Sequence, residues 1–270
     1  MRRRVHAWAN ILGTAHGVKV IREELTGLRA EWITPKNPAA GKLVIYLHGG
    51  GYVMGNCATH RPLVSYIAKA AGVRALLPEY RLAPEHPFPA GIDDAVRLYR
   101  AVLAAGYAPH NIVIAGDSAG GGLTMATLLA LRDAGDPQPA AACLLSPWLD
   151  LTGSGESMQA NARSDPWFEP EFLPLLAKYY CEERERANPM VSPVFAHLQG
   201  LPPLYIQVCG DEILLSDSTR LVERARAAGV EADIEIYAGL WHVFQAFARQ
   251  VPESRAAVAR IGSYIERTLR

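Results

Sequence analysis

The 270-residue sequence predicts an α/β fold in which a mostly parallel β-sheet is covered on both faces by helices. From about residue 18 onward, short apolar runs rich in β-branched residues alternate with longer helical patterns. The runs are near-continuous in apolarity, as strands buried on both faces of a parallel sheet should be. Half of the residues are apolar, enough for one large core, and the length suits a single domain with an inserted segment.

The clearest buried strands are residues 43–47 (LVIYL), 73–77 (VRALL), 112–115 (IVIA), 142–145 (ACLL) and 204–208 (LYIQV). Residues 18–25 and 28–33 read as an antiparallel pair turned at Thr26-Gly27, and 232–237 alternates enough to be a strand nearer an edge. Helical patterns occupy 62–71, 89–104, 119–134, 216–228 and 252 to the C-terminus, each flanked by Gly or Pro. Residues 151–194 form a long connection with Ser-, Pro- and aromatic-rich pieces where a short one would suffice, which marks a functional cover.

Composition excludes several classes. Lys plus Arg and Asp plus Glu both number 27, so no global field gathers nucleic acid or an anionic membrane; the expected partner is a small neutral molecule. Cys57, Cys143, Cys181 and Cys209 are dispersed, without metal-ligand spacing, and read as reduced thiols. No window approaches the ~18 apolar residues that cross a bilayer. After Arg2-Arg3-Arg4, the polar residues His6, Asn10, Thr14 and His16 interrupt any secretion-signal core, so a cytoplasmic location is expected.

Two motifs carry chemistry. Gly116-Asp117-Ser118-Ala119-Gly120 is a G-x-S-x-G sequence between a strand and a helical run, where a sharp turn would lift the serine clear of the sheet. It would set the Ala119 N–H at the positive end of a helix. Taken alone, such a turn also occurs in many non-catalytic α/β proteins. His48-Gly49-Gly50-Gly51 follows the strand 43–47 and lets backbone N–H groups approach a substrate oxygen. Its rival reading is a phosphate-binding turn, but neither G-x-G-x-x-G spacing nor a P-loop lysine is present.

The motifs His48-Gly49-Gly50-Gly51-Tyr52, the run YRLAPEHPFPA over residues 80–90, and Gly116-Asp117-Ser118-Ala119-Gly120-Gly121 stand in one order and register. On these the sequence resembles the bacterial hormone-sensitive-lipase-like esterases of the α/β-hydrolase superfamily, from roughly residue 20 to the end. The resemblance implies an eight-stranded, mostly parallel sheet with a helical cap. It divides the chain into an N-terminal cap part (1–20), a catalytic domain (21–152 and 195–270) and an inserted cap segment (153–194).

It further implies a triad in the chain order serine, acid, histidine. Ser118 is the nucleophile, and His242, in Gly239-Leu240-Trp241-His242-Val243-Phe244, is the general base. Asp211, just past the strand 204–208, is the expected acid, with Glu212 its nearest rival and Asp217 read as capping the next helix. The implied oxyanion donors are the Gly49, Gly50 and Ala119 N–H groups. Arg81, Glu85, His86 and Asp117 are read as a structural network bracing the elbow and the oxyanion loop.

The implied reaction is hydrolysis of short- to medium-chain acyl esters through an acyl-enzyme, with no metal or organic cofactor. Lactone, amide or carbamate cleavage would use the same triad, and a non-catalytic receptor could share the scaffold. Such receptors tend to have lost the triad histidine, whereas His242 is present. Trp167, Phe168, Phe172, Leu175, Leu176, Tyr179 and Tyr180 give the cap an apolar face suited to a hydrophobic substrate. The short N-terminal part leaves one wall open or to be completed by another subunit, and a homodimer is what the family implies.

Overall fold

The computed structural model describes residues 12–270; the part of the N-terminal cap expectation that falls on residues 1–11 lies outside the described residues. Eight strands form one sheet: β1 (Lys19–Leu25), β2 (Leu28–Thr34), β3 (Leu43–Leu47), β4 (Arg74–Pro78), β5 (Ile112–Asp117), β6 (Ala141–Leu145), β7 (Leu204–Cys209) and β8 (Ala232–Tyr237). Their order is β1-β2-β4-β3-β5-β6-β7-β8. β2 pairs antiparallel with both β1 and β4, and every other pair is parallel.

Because the sheet is buried on both faces, successive residues of a central strand serve two different cores. Leu43, Ile45 and Leu47 of β3 join the larger core, while Val44 and Tyr46 join the smaller one. The larger core is completed by α2 (Ala90–Ala104), α3 (Ala119–Asp133), α6 (Leu215–Ala227) and residues of the inserted segment. The smaller is closed by α1 (Cys57–Ala71) and α7 (Pro252–Thr268). Two short helices, α4 (Ser157–Ala160) and α5 (Phe172–Tyr180), lie in the inserted segment.

One expected boundary moves appreciably. Helix α1 begins at Cys57 rather than at Pro62, because Asn56 and Thr59 form a reciprocal capping box and Pro62 is carried inside the helix. The Pro read as a helix start is therefore an interior residue at the sixth helical position, where the helix forgoes an N–H bond to the Ala58 carbonyl.

The register fixes where the site can be. Leu47 pairs with Gly116, Asp117 with Leu145, Leu145 with Gln207, and Cys209 with Tyr237. The loops that follow β3, β5, β6, β7 and β8 thus leave the sheet side by side at its carboxyl edge, the usual place for a ligand crevice in α/β proteins.

Helices α1 and α7 touch most closely at Gly262, where a Cβ would overlap the backbone and Cβ of Ala70. Gly to Ala in a helix interior ordinarily stabilises by about 0.5–1 kcal/mol. Here overpacking should win: Gly262→Ala is expected to destabilise by about 1–3 kcal/mol, read from the midpoint of urea denaturation followed by circular dichroism.

Candidate active site

Ser118 sits between β5 and α3 with φ 52° and ψ −126°, a conformation that only over-determined surroundings sustain in a non-glycine residue. Its N–H donates to the Leu145 carbonyl at 2.9 Å, and its own carbonyl accepts from Gly121 (2.9 Å), Gly122 (3.2 Å) and Trp148 (2.9 Å). A Cβ on Gly116 would overlap the Gly120 carbonyl, and one on Gly120 would overlap the Leu47 carbonyl. The two flanking glycines therefore let β3, β5 and α3 crowd around the serine.

His242 lies in the loop after β8, buried, with Phe168 of the inserted segment edge-on at 4.8 Å between ring centroids. The following residue, Val243, has φ 52° and ψ 39°, a strained setting for a β-branched side chain. Its N–H is held by the Ser146 hydroxyl at 3.2 Å.

The carboxylate against His242 is Glu212 and not Asp211. Glu212 Oε2 is 2.6 Å from His242 Nδ1, while Oε1 accepts from the Ser146 hydroxyl at 2.7 Å and from the Cys209 N–H at 2.7 Å. Glu212 is fully buried, so these donors replace its lost hydration. Asp211 points away: its Oδ2 accepts the Gly239 N–H at 2.7 Å. The two neighbours leave the turn in different directions, and the longer glutamate reaches the ring. Asp217, expected as a helix cap, instead accepts the N–H groups of Leu149 (2.6 Å) and Asp150 (2.9 Å).

The glycine loop needs a similar correction. The Gly49 N–H donates to Asp117 Oδ1 at 3.1 Å and is not free for a substrate. Among the described residues no acceptor bonds the N–H groups of Gly50, Gly51 or Ala119. Gly51, named in the glycine run but not among the implied donors, is legible in the sequence as the last of three consecutive glycines.

Of the polar set Arg81, Glu85, His86 and Asp117, Asp117 braces the loop. Its Oδ1 also accepts the Tyr46 hydroxyl (2.9 Å), and its Oδ2 lies 3.4 Å from His60 Nε2. Burial would raise this carboxyl, but the His60 imidazole and the Tyr46 hydroxyl outweigh it and hold it below the usual carboxylate range. Arg81 turns to Asp94 on α2 through its Nε and Nη2, at 2.9 and 2.8 Å, while Glu85 and His86 are exposed. Ser146 and His60 are contributors that the sequence reading did not single out. A serine directly after a buried parallel strand, at the crevice edge, is the signal that could have found Ser146.

The apolar face of the inserted segment divides in two. Tyr180 stacks on Tyr52 at 3.8 Å, Leu176 packs over Gly51, and Phe168 stacks on Phe172 at 5.9 Å. Trp167, Leu175 and Tyr179 are about half exposed, at 52, 49 and 48 %.

This sheet order, with a serine elbow after β5, defines an α/β-hydrolase, and residues 44–246 match the family described as alpha/beta hydrolase fold. An acetyl-hydrolase of Streptomyces hygroscopicus is 40% identical over 236 residues, covering 87% of this chain and 79% of its own. An esterase of Acinetobacter venetianus is 38% identical over 241 residues, covering 89% and 79%. Among solved structures, an esterase from the bacterial hormone-sensitive lipase family superposes with a TM-score of 0.97 at 45% identity, over 100% of this chain and 91% of that one. The esterase EstE5, in a crystal soaked with p-nitrophenyl butyrate, superposes with a TM-score of 0.96 at 42% identity, over 100% and 90%. The chain belongs to the bacterial hormone-sensitive lipase family of the α/β-hydrolase fold. Among the described residues no helix is long and apolar enough to cross a membrane.

His48 gives the site a pH-dependent contribution to stability. Its Nδ1–H donates to the Gly49 carbonyl at 2.8 Å, and burial together with the nearby His60 ring presses its pKa down to about 3. An unfolded histidine takes up a proton near pH 6.5, so between about 6.5 and 3 the unfolded chain holds the extra proton and acid favours unfolding. This amounts to about 1.4 kcal/mol per pH unit. The wild-type urea midpoint is expected to fall from pH 6 to pH 4, and in His48→Asn to fall less, by about one proton's worth of slope.

Proposed function

We propose that the protein is a carboxylesterase that cleaves short- to medium-chain acyl esters through a Ser118 acyl-enzyme. The observation that carries this reading is the buried 2.6 Å contact of His242 Nδ1 with Glu212, beside a serine held in a strained elbow. Glu212 fixes the imidazole so that Nε2 is free to take the Ser118 proton as the hydroxyl attacks the ester carbonyl, and it stabilises the imidazolium that forms. The tetrahedral oxygen is met by the N–H groups of Gly50, Gly51 and Ala119, which carry no other acceptor among the described residues. His242 then returns the proton to the leaving alcohol and activates water against the acyl-enzyme.

Short to medium acyl groups suit a site closed down by Tyr52, Phe168, Leu176 and Tyr180, in which Ser118 is only 9 % exposed. The relatives' names, acetyl-hydrolase and esterase, point to the same class. A reducing, cytoplasmic setting is supported by four free, buried cysteines, and homodimerisation follows from the family resemblance. The inserted segment serves as the cap over this site.

Hydrolysis of 4-nitrophenyl esters from acetate to palmitate is expected to peak at acetate to octanoate and to vanish in Ser118→Ala. Glu212→Gln is expected to lower kcat/KM by about 10³- to 10⁴-fold, whereas Asp211→Asn should change it less than about threefold. A wild-type protein inert to every ester and unlabelled by a fluorophosphonate would contradict the proposal.

A further inference from the structure

The turn that carries Glu212, residues 210–213, is held largely by side chains. Gly210 donates its N–H to the Tyr237 carbonyl of β8 at 2.7 Å and the Glu212 carbonyl accepts the Leu215 N–H at 3.2 Å, while most of the other bonds come from side chains of the inserted segment. Asn161 Nδ2 donates to the carbonyls of Gly210 and Glu212, both at 2.9 Å. The Ser164 hydroxyl donates to the Asp211 carbonyl at 3.1 Å, and the Ser157 hydroxyl to the Ile213 carbonyl at 2.6 Å. Asp165 Oδ2 accepts the Ile213 N–H at 2.9 Å.

The second oxygen of Asp165 works on the other side of the histidine. Oδ1 accepts the N–H groups of Trp167 (2.8 Å) and Phe168 (3.1 Å), and it is Phe168 whose ring edge meets His242. One carboxylate therefore ties the turn that aims Glu212 at Nδ1 to the residue that packs against the imidazole. A carboxylate suits this place because it accepts at both oxygens, and the donors bonded to it among the described residues are backbone N–H groups.

We infer that Asp165 is a positioning residue for the reaction, fixing the Glu212 turn and Phe168 together so that the inserted segment orients the Glu212–His242 pair as well as covering it. The inference rests on the reading of Glu212 as the carboxylate paired with His242. Small losses of alignment in such a pair are costly, because its members act as a unit.

Asp165→Asn separates the two halves of the device. The amide oxygen still accepts from Trp167 and Phe168, while its NH₂ meets the Ile213 N–H donor to donor. With 4-nitrophenyl butyrate, kcat is expected to fall about 10- to 100-fold with KM little changed. The acid limb of kcat/KM should move to lower pH, since a less well-held carboxylate stabilises the imidazolium less. In a Glu212→Gln background the same change should cost less than about twofold, because the contact it supports is already lost. Asn161→Ala, which removes only the two donors to the turn, carries the same expectation should Asp165→Asn fail to fold.

A wild-type kcat and pH profile in both folded variants would overturn the inference, as would an undiminished loss in the Glu212→Gln background. Full activity of Glu212→Gln by itself would instead remove the underlying assignment of Glu212, so the two failures are distinguishable.

Discussion

The carboxylate of Glu212 is the interaction on which the site depends. An ionised carboxylate buried from water is strongly unfavourable unless its lone pairs are filled. Here three donors fill them, and each comes from a different strand end: the Cys209 N–H at the last residue of β7, the Ser146 hydroxyl after β6, and His242 after β8. Shifting this carboxylate would leave these loops without their common partner, so the same group that contacts the histidine also holds three strand ends in place.

A second buried carboxylate does the corresponding work on the other side of the serine. Asp117, the last residue of β5, accepts from Tyr46 of β3 and from the first glycine of the following loop. Gly49 is thereby fixed, while the next two N–H groups have no acceptor among the described residues. Ser118, Ser146 and Val243 all adopt positive φ, each beside one of these carboxylates or their partners. Such conformations cost of order 1–3 kcal/mol apiece, and the hydrogen bonds of the two carboxylates are what make them sustainable. Rigidity at the strand ends and backbone strain beside them are thus parts of one arrangement.

Most of the fold was legible because it follows from periodicity. The strand 43–47 reads as buried on both sides from its unbroken apolar run, and it divides its residues between two cores as that run requires. The serine elbow was legible because backbone crowding demands glycine at 116 and 120, and His242 because of its place after the last strand. The carboxylate in contact with His242 was not, because Asp211 and Glu212 are adjacent and the sequence does not say which side of a turn faces the ring. Gly49 was misassigned for a like reason: its N–H is taken by a residue far along the chain, Asp117. Arg81 pairs with Asp94 across a helix start, and Asn161, Ser164 and Asp165 look like ordinary loop residues until the turn at 210–213 is seen to rest on them.

The most direct test of the central contact is the imidazole proton itself. A short hydrogen bond from His242 Nδ1–H to a buried carboxylate should give a far-downfield proton resonance in an ¹⁵N-histidine-labelled sample. The account predicts that this resonance is present in the wild type, persists in Asp211→Asn and disappears in Glu212→Gln. Its loss in Asp211→Asn together with its survival in Glu212→Gln would contradict the account and return the role to the neighbouring aspartate.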